Sequence, residues 1–228
     1  MTVAAVVTAA GYGTRLGSDL PKALVRVAGE PLVVHAVRRA LAVASRVVVT
    51  APPTHVDAFA SVLAGLDARI VPGADSRQGS VAAGLAALAP AASDVVLVHD
   101  AARAFQPASV MRAVAAAVEE GADGAIPVVP VVDTLVTAPA ADGALGDPVD
   151  RAGFRVVQTP QAFRASVLLD AHARGGSAAT DDATLARSLG YRVVAVDGHE
   201  WGVKITHGGD LALAEHIAAE SARAEETV

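Results

Sequence analysis

The chain has no cysteine, so neither a disulfide framework nor a thiolate metal site can hold it together. No stretch gathers five or more like charges, the mark of a polyanion-binding tail, and the net charge is −6. Nucleic acid and anionic membrane are therefore poor partners. The opening MTVAAVVTAAG carries no cationic lead and is broken by glycine before it could serve as a signal core. No apolar run is long enough to span a bilayer, and the expectation is a soluble, cytoplasmic protein. The 228 residues suffice to bury a full core and are expected to form one α/β domain, 1–228.

What is present is alternation. Apolar, β-branched runs at 3–7, 46–51, 68–72, 94–100 and 124–129 are nearly continuous, as strands buried on both faces must be. Between them, 31–44, 54–65, 79–89 and 107–120 place leucine, valine and alanine at helical spacing. Strand and helix alternating in this way predict a Rossmann-like, doubly wound, mostly parallel sheet with its ligand beyond the carboxyl ends of the strands. From Val131 to Phe163 the rhythm breaks into a strand, a Pro, Ala and Gly-rich excursion, and a strand returning at Phe154–Val157. This predicts a protruding β-arm at about 133–155, with a loose surface insertion as the alternative. The excursion has too few large apolar residues to fold alone, so its flanking strands need another surface to pack against.

Directly after the first strand comes TAAGYGTRLGSDLPKAL. A dinucleotide fingerprint needs G-x-G-x-x-G, but Gly11 and Gly13 are followed at the third position by Leu16, and the second strand ends without a ribose-binding acid. The Walker pattern is also absent. What remains is a glycine-rich turn offering backbone amides to an anion, with Arg15 and Lys22 placed to neutralise a polyphosphate. Taken alone, those two cations read as well as solvated surface charges. Asp100 closes the buried strand of VLVHDAAR, where it can hold a ribose hydroxyl, assist a divalent metal, or cap the helix starting near Pro107. His99 reads as a strand-end core residue. Thr180 and Asp181 precede a helix, and capping alone accounts for them. Lys204, the only lysine in the second half of the chain, follows an apolar strand from which an ammonium can reach a phosphate in the cleft.

These stretches, with GADSRQGSVAAGL, QTPQAF, TDD, VKIT and the short pairs DT and DR, stand in the order and approximate spacing of the 2-C-methyl-D-erythritol 4-phosphate cytidylyltransferase family. The chain resembles that family from about Val3 to Leu213. The opening loop is shared with sugar-nucleotide pyrophosphorylases, whereas VHDAAR with TPQ-x-F is particular to this family and its ribitol-phosphate relative. The resemblance implies CTP and a polyol phosphate as substrates, Mg²⁺ or another divalent cation as cofactor, and a homodimer built through the arm. It implies roles as well. Arg15 and Lys22 would hold the triphosphate and stabilise the transition state, and Lys204 would touch both phosphates. Ala9, Ala10, Gly11, Gly13, Ala74, Asp75 and Ser80 would enclose the nucleotide, while Asp100 with Ala101 would hold ribose and metal. Arg103, Thr134, Arg151, Thr159 and Thr180 would bind the alcohol phosphate, Thr134 and Arg151 being delivered near the neighbour's site.

The sequence departs from the family pattern at four places. Thr8 stands where proline is common, Ala74 where glycine meets the base, Gly202 where asparagine is usual, and His207 where a more basic residue is found. None removes a charge from the reaction centre. The alternatives are D-ribitol 5-phosphate as the accepting alcohol, or a catalytically silent nucleotide sensor, which would not need Arg15, Lys22, Asp100 and Lys204 together.

Overall fold

The computed structural model describes residues 1–13, 20–176 and 179–226. In chain order its elements are β1 (Val3–Thr8), β2 (Arg26–Val27), β3 (Glu30–Pro31), α1 (Leu32–Leu41), β4 (Arg46–Ala51), α2 (Val56–Val62), β5 (Ala68–Pro72), α3 (Arg77–Leu88), β6 (Val95–Asp100) and α4 (Ala108–Glu119). They continue as β7 (Gly124–Pro130), β8 (Leu135–Val136), β9 (Pro148–Val149), β10 (Arg155–Val157), β11 (Gln161–Arg164), α5 (Ala165–Arg174), α6 (Asp182–Ser188), β12 (Val193–Asp197) and α7 (Asp210–Glu226). The five apolar runs are β1, β4, β5, β6 and β7, and the four helical segments are α1 to α4, each within a few residues of expectation.

β1 lies at the centre of the sheet, parallel to β4 on one side and β6 on the other, with β5 beyond β4. β12 runs parallel to β7 at the far edge. The departure from parallel order is β11, which enters antiparallel between β6 and β7, with β10 continuing the same direction along β7. Gln161–Arg164 carries no strand-like apolar alternation, so its pairing is imposed by the two strands it joins.

Alternation along the strands splits the core into two layers. Ala5 and Val7 of β1 face the side covered by α1 and α4, through Val33, Val37, Met111 and Val114. Ala4 and Val6 face the other side, covered by α3, α5 and α6, through Val81, Leu85, Leu168 and Leu185. A third cluster, with Leu32, Phe105, Ile205 and Ile217, packs α7 and the β2–β3 hairpin against the body. Ile205 N–H donates to Ala102 O at 2.9 Å, which brings the 203–206 segment alongside the end of β6. Lys204 is thereby placed beside Asp100.

The arm is present: β8 and β9 pair antiparallel as a small separate ribbon. Val132 and Leu145 are each 77% exposed, and Phe154, Val156 and Val157 are exposed beside them. Among the described residues no helix is long and apolar enough to cross a membrane.

Candidate active site

β1 and β6 end side by side, with Thr8 opposite Asp100 in the register. Beyond their carboxyl ends opens a cleft of about 240 Å³, at the switch point where the chain leaves β1 towards β4 on one side and β6 on the other. Its walls are the loop after β1 (Ala9, Ala10, Gly11), the loop after β5 (Ala74, Asp75, Ser76) and the turn after β6 (Ala101, Ala102). Thr8, Lys22, Ala23, Arg77, Ser80, Asp100 and Lys204 complete it.

Two close approaches shape the glycine-rich side. Gly13 has φ +64°, and a Cβ there would overlap the Lys22 side chain, so glycine is required twice over and its bareness lets Lys22 lie across the turn. Gly73 abuts Ala10, with a would-be Cβ only 2.6 Å from the Ala10 methyl, which seals the two loops together. Ser80 is buried. Its hydroxyl accepts from Ala74 N–H at 3.0 Å and lies 3.1 Å from Ala74 O and 2.9 Å from Ser76 O, so it holds the loop after β5 in shape. Ser76 caps α3 by accepting from Gly79 N–H at 2.9 Å.

Asp100 is 8% exposed and paired on both oxygens. Lys204 Nζ donates to Oδ2 at 2.7 Å, and Arg77 Nε meets Oδ1 at 3.3 Å. Burial alone would raise this carboxyl's pKa, but the two cations outweigh it and hold the pKa well below the usual carboxylate range. The site therefore keeps a fixed negative charge in a nearly dry setting. Asp100 caps no helix: it precedes a short 3₁₀ turn, Ala101–Arg103, without a side-chain cap bond.

Behind it, Thr159 Oγ1 accepts from Asp100 N–H at 3.0 Å and lies 3.0 Å from His99 Nδ1. Full burial pushes the His99 pKa down to about 4. Thr159, itself 5% exposed, thus sits behind the cleft as a support for Asp100.

Ten of the sequence-selected residues meet in the cleft: Ala9, Ala10, Gly11, Lys22, Ala74, Asp75, Ser80, Asp100, Ala101 and Lys204. Gly13 lies beneath Lys22. Arg15 falls outside the described residues. Thr134 and Arg151 lie in the exposed arm, away from the cleft of their own chain, where the Arg151 guanidinium donates to Val132 O. Thr180 lines a small recess on the far side of Arg77, while the neighbouring Asp181 caps α6 by accepting from Thr184 N–H at 2.8 Å. Arg103 is fixed by two backbone acceptors, Gly202 O at 2.6 Å and Val157 O at 3.0 Å. A side chain at Gly202 would overlap the amide of Gln106, a fully buried residue, so the glycine and Gln106 fit as a pair.

Arg77 is the residue that sequence reading missed. A signal was available: an arginine in the first turn of a helix opposes the helix dipole and calls for an acid supplied by the tertiary fold. Two acids do so, Asp100 and Asp182, the latter at 2.6 Å from Nη1. A second signal is that the whole chain holds only two lysines, Lys22 and Lys204, and both line this cleft.

Comparison with known proteins identifies the family. The family model described as "IspD: 2-C-methyl-D-erythritol 4-phosphate cytidylyltransferase" matches residues 3–220. A protein of that name from Saccharopolyspora erythraea is 49% identical over 226 residues, covering 96% of this chain and all of the relative. Its namesake from Streptomyces avermitilis is 45% identical, covering 95% of this chain and 91% of the relative. The crystal structure of the cytidylyltransferase of that name from Thermus thermophilus superposes with a TM-score of 0.80 at 40% identity, covering 96% of this chain and all of that one. The match spans the strands, the cleft and the arm alike, and the chain belongs to the 2-C-methyl-D-erythritol 4-phosphate cytidylyltransferase family.

Proposed function

We propose that the protein transfers a cytidylyl group from CTP to 2-C-methyl-D-erythritol 4-phosphate, releasing pyrophosphate. The observation that carries this reading is the convergence of Lys22, Lys204 and the ionised Asp100 on one cleft at the strand ends, in a chain of this family. An oxygen of the alcohol phosphate attacks the α-phosphorus of CTP in line, and pyrophosphate leaves from the opposite face. No covalent enzyme intermediate is required. Positioning and charge stabilisation are then the protein's contribution.

The narrow walls at Ala9, Ala10 and Ala74 suit the flat base and ribose, with Asp75 beside them. Lys22, and Arg15 by its place in the family pattern, are assigned to the triphosphate; Lys204 is assigned to the α-phosphate and the attacking phosphate. A divalent cation fits on restricted terms. Among the described residues no group of three acids or histidines could cage a metal ion, but Asp100 is a hard, ionised oxygen ligand in the cleft. Magnesium is commonly held by one carboxylate plus substrate phosphates, and bound in this way it would neutralise charge on the triphosphate.

The exposed apolar side chains of the arm are assigned to a second copy of the chain. The two-fold pairing carries Thr134 and Arg151 towards the neighbour's alcohol-phosphate site. Cytoplasmic residence completes the reading. The test is kcat/KM for pyrophosphate release with CTP, UTP, ATP and GTP, each against methylerythritol 4-phosphate and D-ribitol 5-phosphate. CTP with the methylerythritol compound should lead both series; a ribitol preference would move the protein to the neighbouring activity, and equal use of UTP would remove the cytidylyl assignment.

A further inference from the structure

Five side chains form a line from the cleft into the layer between α3, α5 and α6. Lys204 meets Asp100 at 2.7 Å, Asp100 meets Arg77 at 3.3 Å, Arg77 meets Asp182 at 2.6 Å, and Asp182 meets His172 at 2.9 Å. Asp182 is 2% exposed and lies outside the nucleotide cleft; the His172 side chain, 7% exposed, stands behind it. We propose that Asp182 is a positioning residue that draws Arg77 away from Asp100, so that the Asp100 carboxylate stays available to a divalent cation carried on the nucleotide. The proposal rests on reading the cleft as a nucleotide site.

The distances carry the argument. A guanidinium facing a carboxylate with no rival frequently takes it with two parallel N–H bonds. Arg77 does not do this to Asp100. It offers Nε alone, at the long end of hydrogen bonding, and gives the short, charge-assisted contact from Nη1 to Asp182. Asp182 is itself held in place, since His172 Nε2 donates to its other oxygen. Its carboxylate is therefore spent on orienting Arg77, and capping of α6 is left to Asp181. If Asp182 lost its charge, Arg77 would have Asp100 as its remaining acid. Two cations would then close on one buried carboxylate, and a metal ion would have to displace a forked guanidinium as well as an ammonium.

A purely structural role, an ionic clasp tying α3 to α6, is the competing explanation, and binding measurements separate the two. Mn²⁺ is titrated by electron paramagnetic resonance against full-length protein saturated with α,β-methylene-CTP, which cannot be cleaved. In Asp182→Asn the Mn²⁺ affinity of the complex should fall roughly tenfold or more, the usual effect of removing a group that orients a metal ligand. Affinity for the analogue without metal should stay within about twofold. Removing Arg77 as well, in Asp182→Asn/Arg77→Gln, should recover most of the lost Mn²⁺ affinity. Arg77→Gln alone should show a metal-dependent gain in analogue affinity at least as large as the wild type's, which keeps the test open even where Asp182→Asn folds poorly.

Wild-type Mn²⁺ affinity in Asp182→Asn, a double variant as weak as the single one, or a diminished metal-dependent gain in Arg77→Gln would each overturn the proposal. Wild-type protein that binds no analogue, with or without Mn²⁺, would instead overturn the nucleotide reading on which it rests.

Discussion

Lys204 Nζ lies 2.7 Å from Asp100 Oδ2, with the lysine side chain 44% exposed and the aspartate side chain 11% exposed. With the lysine open to solvent the pair is screened on that side, and Arg77 still faces Asp100 when Lys204 is removed, so the loss of stability should be modest; on the proposed assignment the same ammonium is worth far more in the transition state. Lys204→Ala should therefore lower kcat by roughly a hundredfold while the urea midpoint falls only modestly. Steady-state kinetics and an unfolding curve on one preparation check both halves.

Lys22 and Gly13 form the second testable pair. On the proposed assignment, in which the ammonium meets charge that develops as the leaving pyrophosphate separates, Lys22→Ala should cost kcat roughly a hundredfold with a smaller effect on KM. Lys22→Arg should recover little, since a planar fork does not replace a compact cation. Gly13→Ala should reproduce part of the defect without touching a charge. It strains a left-handed residue and pushes its methyl into the Lys22 side chain. Near-normal kcat in Lys22→Ala would detach Lys22 from the chemistry.

His99 makes stability depend on pH with a defined sign. Its folded pKa, about 4, lies below the 6.5 of the free group, so between these values the unfolded chain binds a proton that the native protein refuses. The contribution is fully present above about pH 6.5 and is lost as pH falls towards 4, amounting to about 2 kcal/mol by pH 5. Asp100 and Asp182, both held below their ordinary range, add their own loss only under about pH 4. Urea unfolding at pH 7.5 and pH 5 should show this drop in the wild type and a smaller one in His99→Gln. Equal drops would mean that the ring is not buried neutral.

The arm is tested by mixing lesions. Lys22→Ala and Arg151→Ala, each nearly inactive alone, should regain activity when unfolded and refolded together. In a mixed dimer one site collects both defects and the other neither, so random mixing restores about one quarter of wild-type sites. Recovery requires that Arg151 serve the neighbour's cleft. Mixed dimers without recovery would place Arg151 in service of its own chain.

The parts of this molecule legible in its sequence are those set by local periodicity. The continuous apolar runs of β1 and β6 read as doubly covered strands, and the end of a buried strand located Asp100 before any coordinate did. The arm announced itself by composition, because APAADGALGDPVD cannot build a core. What escaped reading depends on distant partners. β11 is a strand because β6 and β7 flank it, and Arg77 owes its place to acids 23 and 105 residues away. Thr159 stands in a motif yet supports Asp100 from behind, a distinction that needs the packing of β6 against the 158–160 segment. Arg15 lies outside the described residues, so its assignment still rests on the motif.

The most direct measurement is phosphorus NMR of purified protein incubated with CTP, 2-C-methyl-D-erythritol 4-phosphate and Mg²⁺. One equivalent of pyrophosphate should appear for each equivalent of a CDP-alcohol whose two phosphorus atoms are joined through a phosphoanhydride, with roughly a hundredfold slower conversion in Lys22→Ala. CTP that persists unchanged with the wild-type protein, or that is cleaved to CMP and pyrophosphate without joining the alcohol, would contradict the assignment of this cleft to cytidylyl transfer.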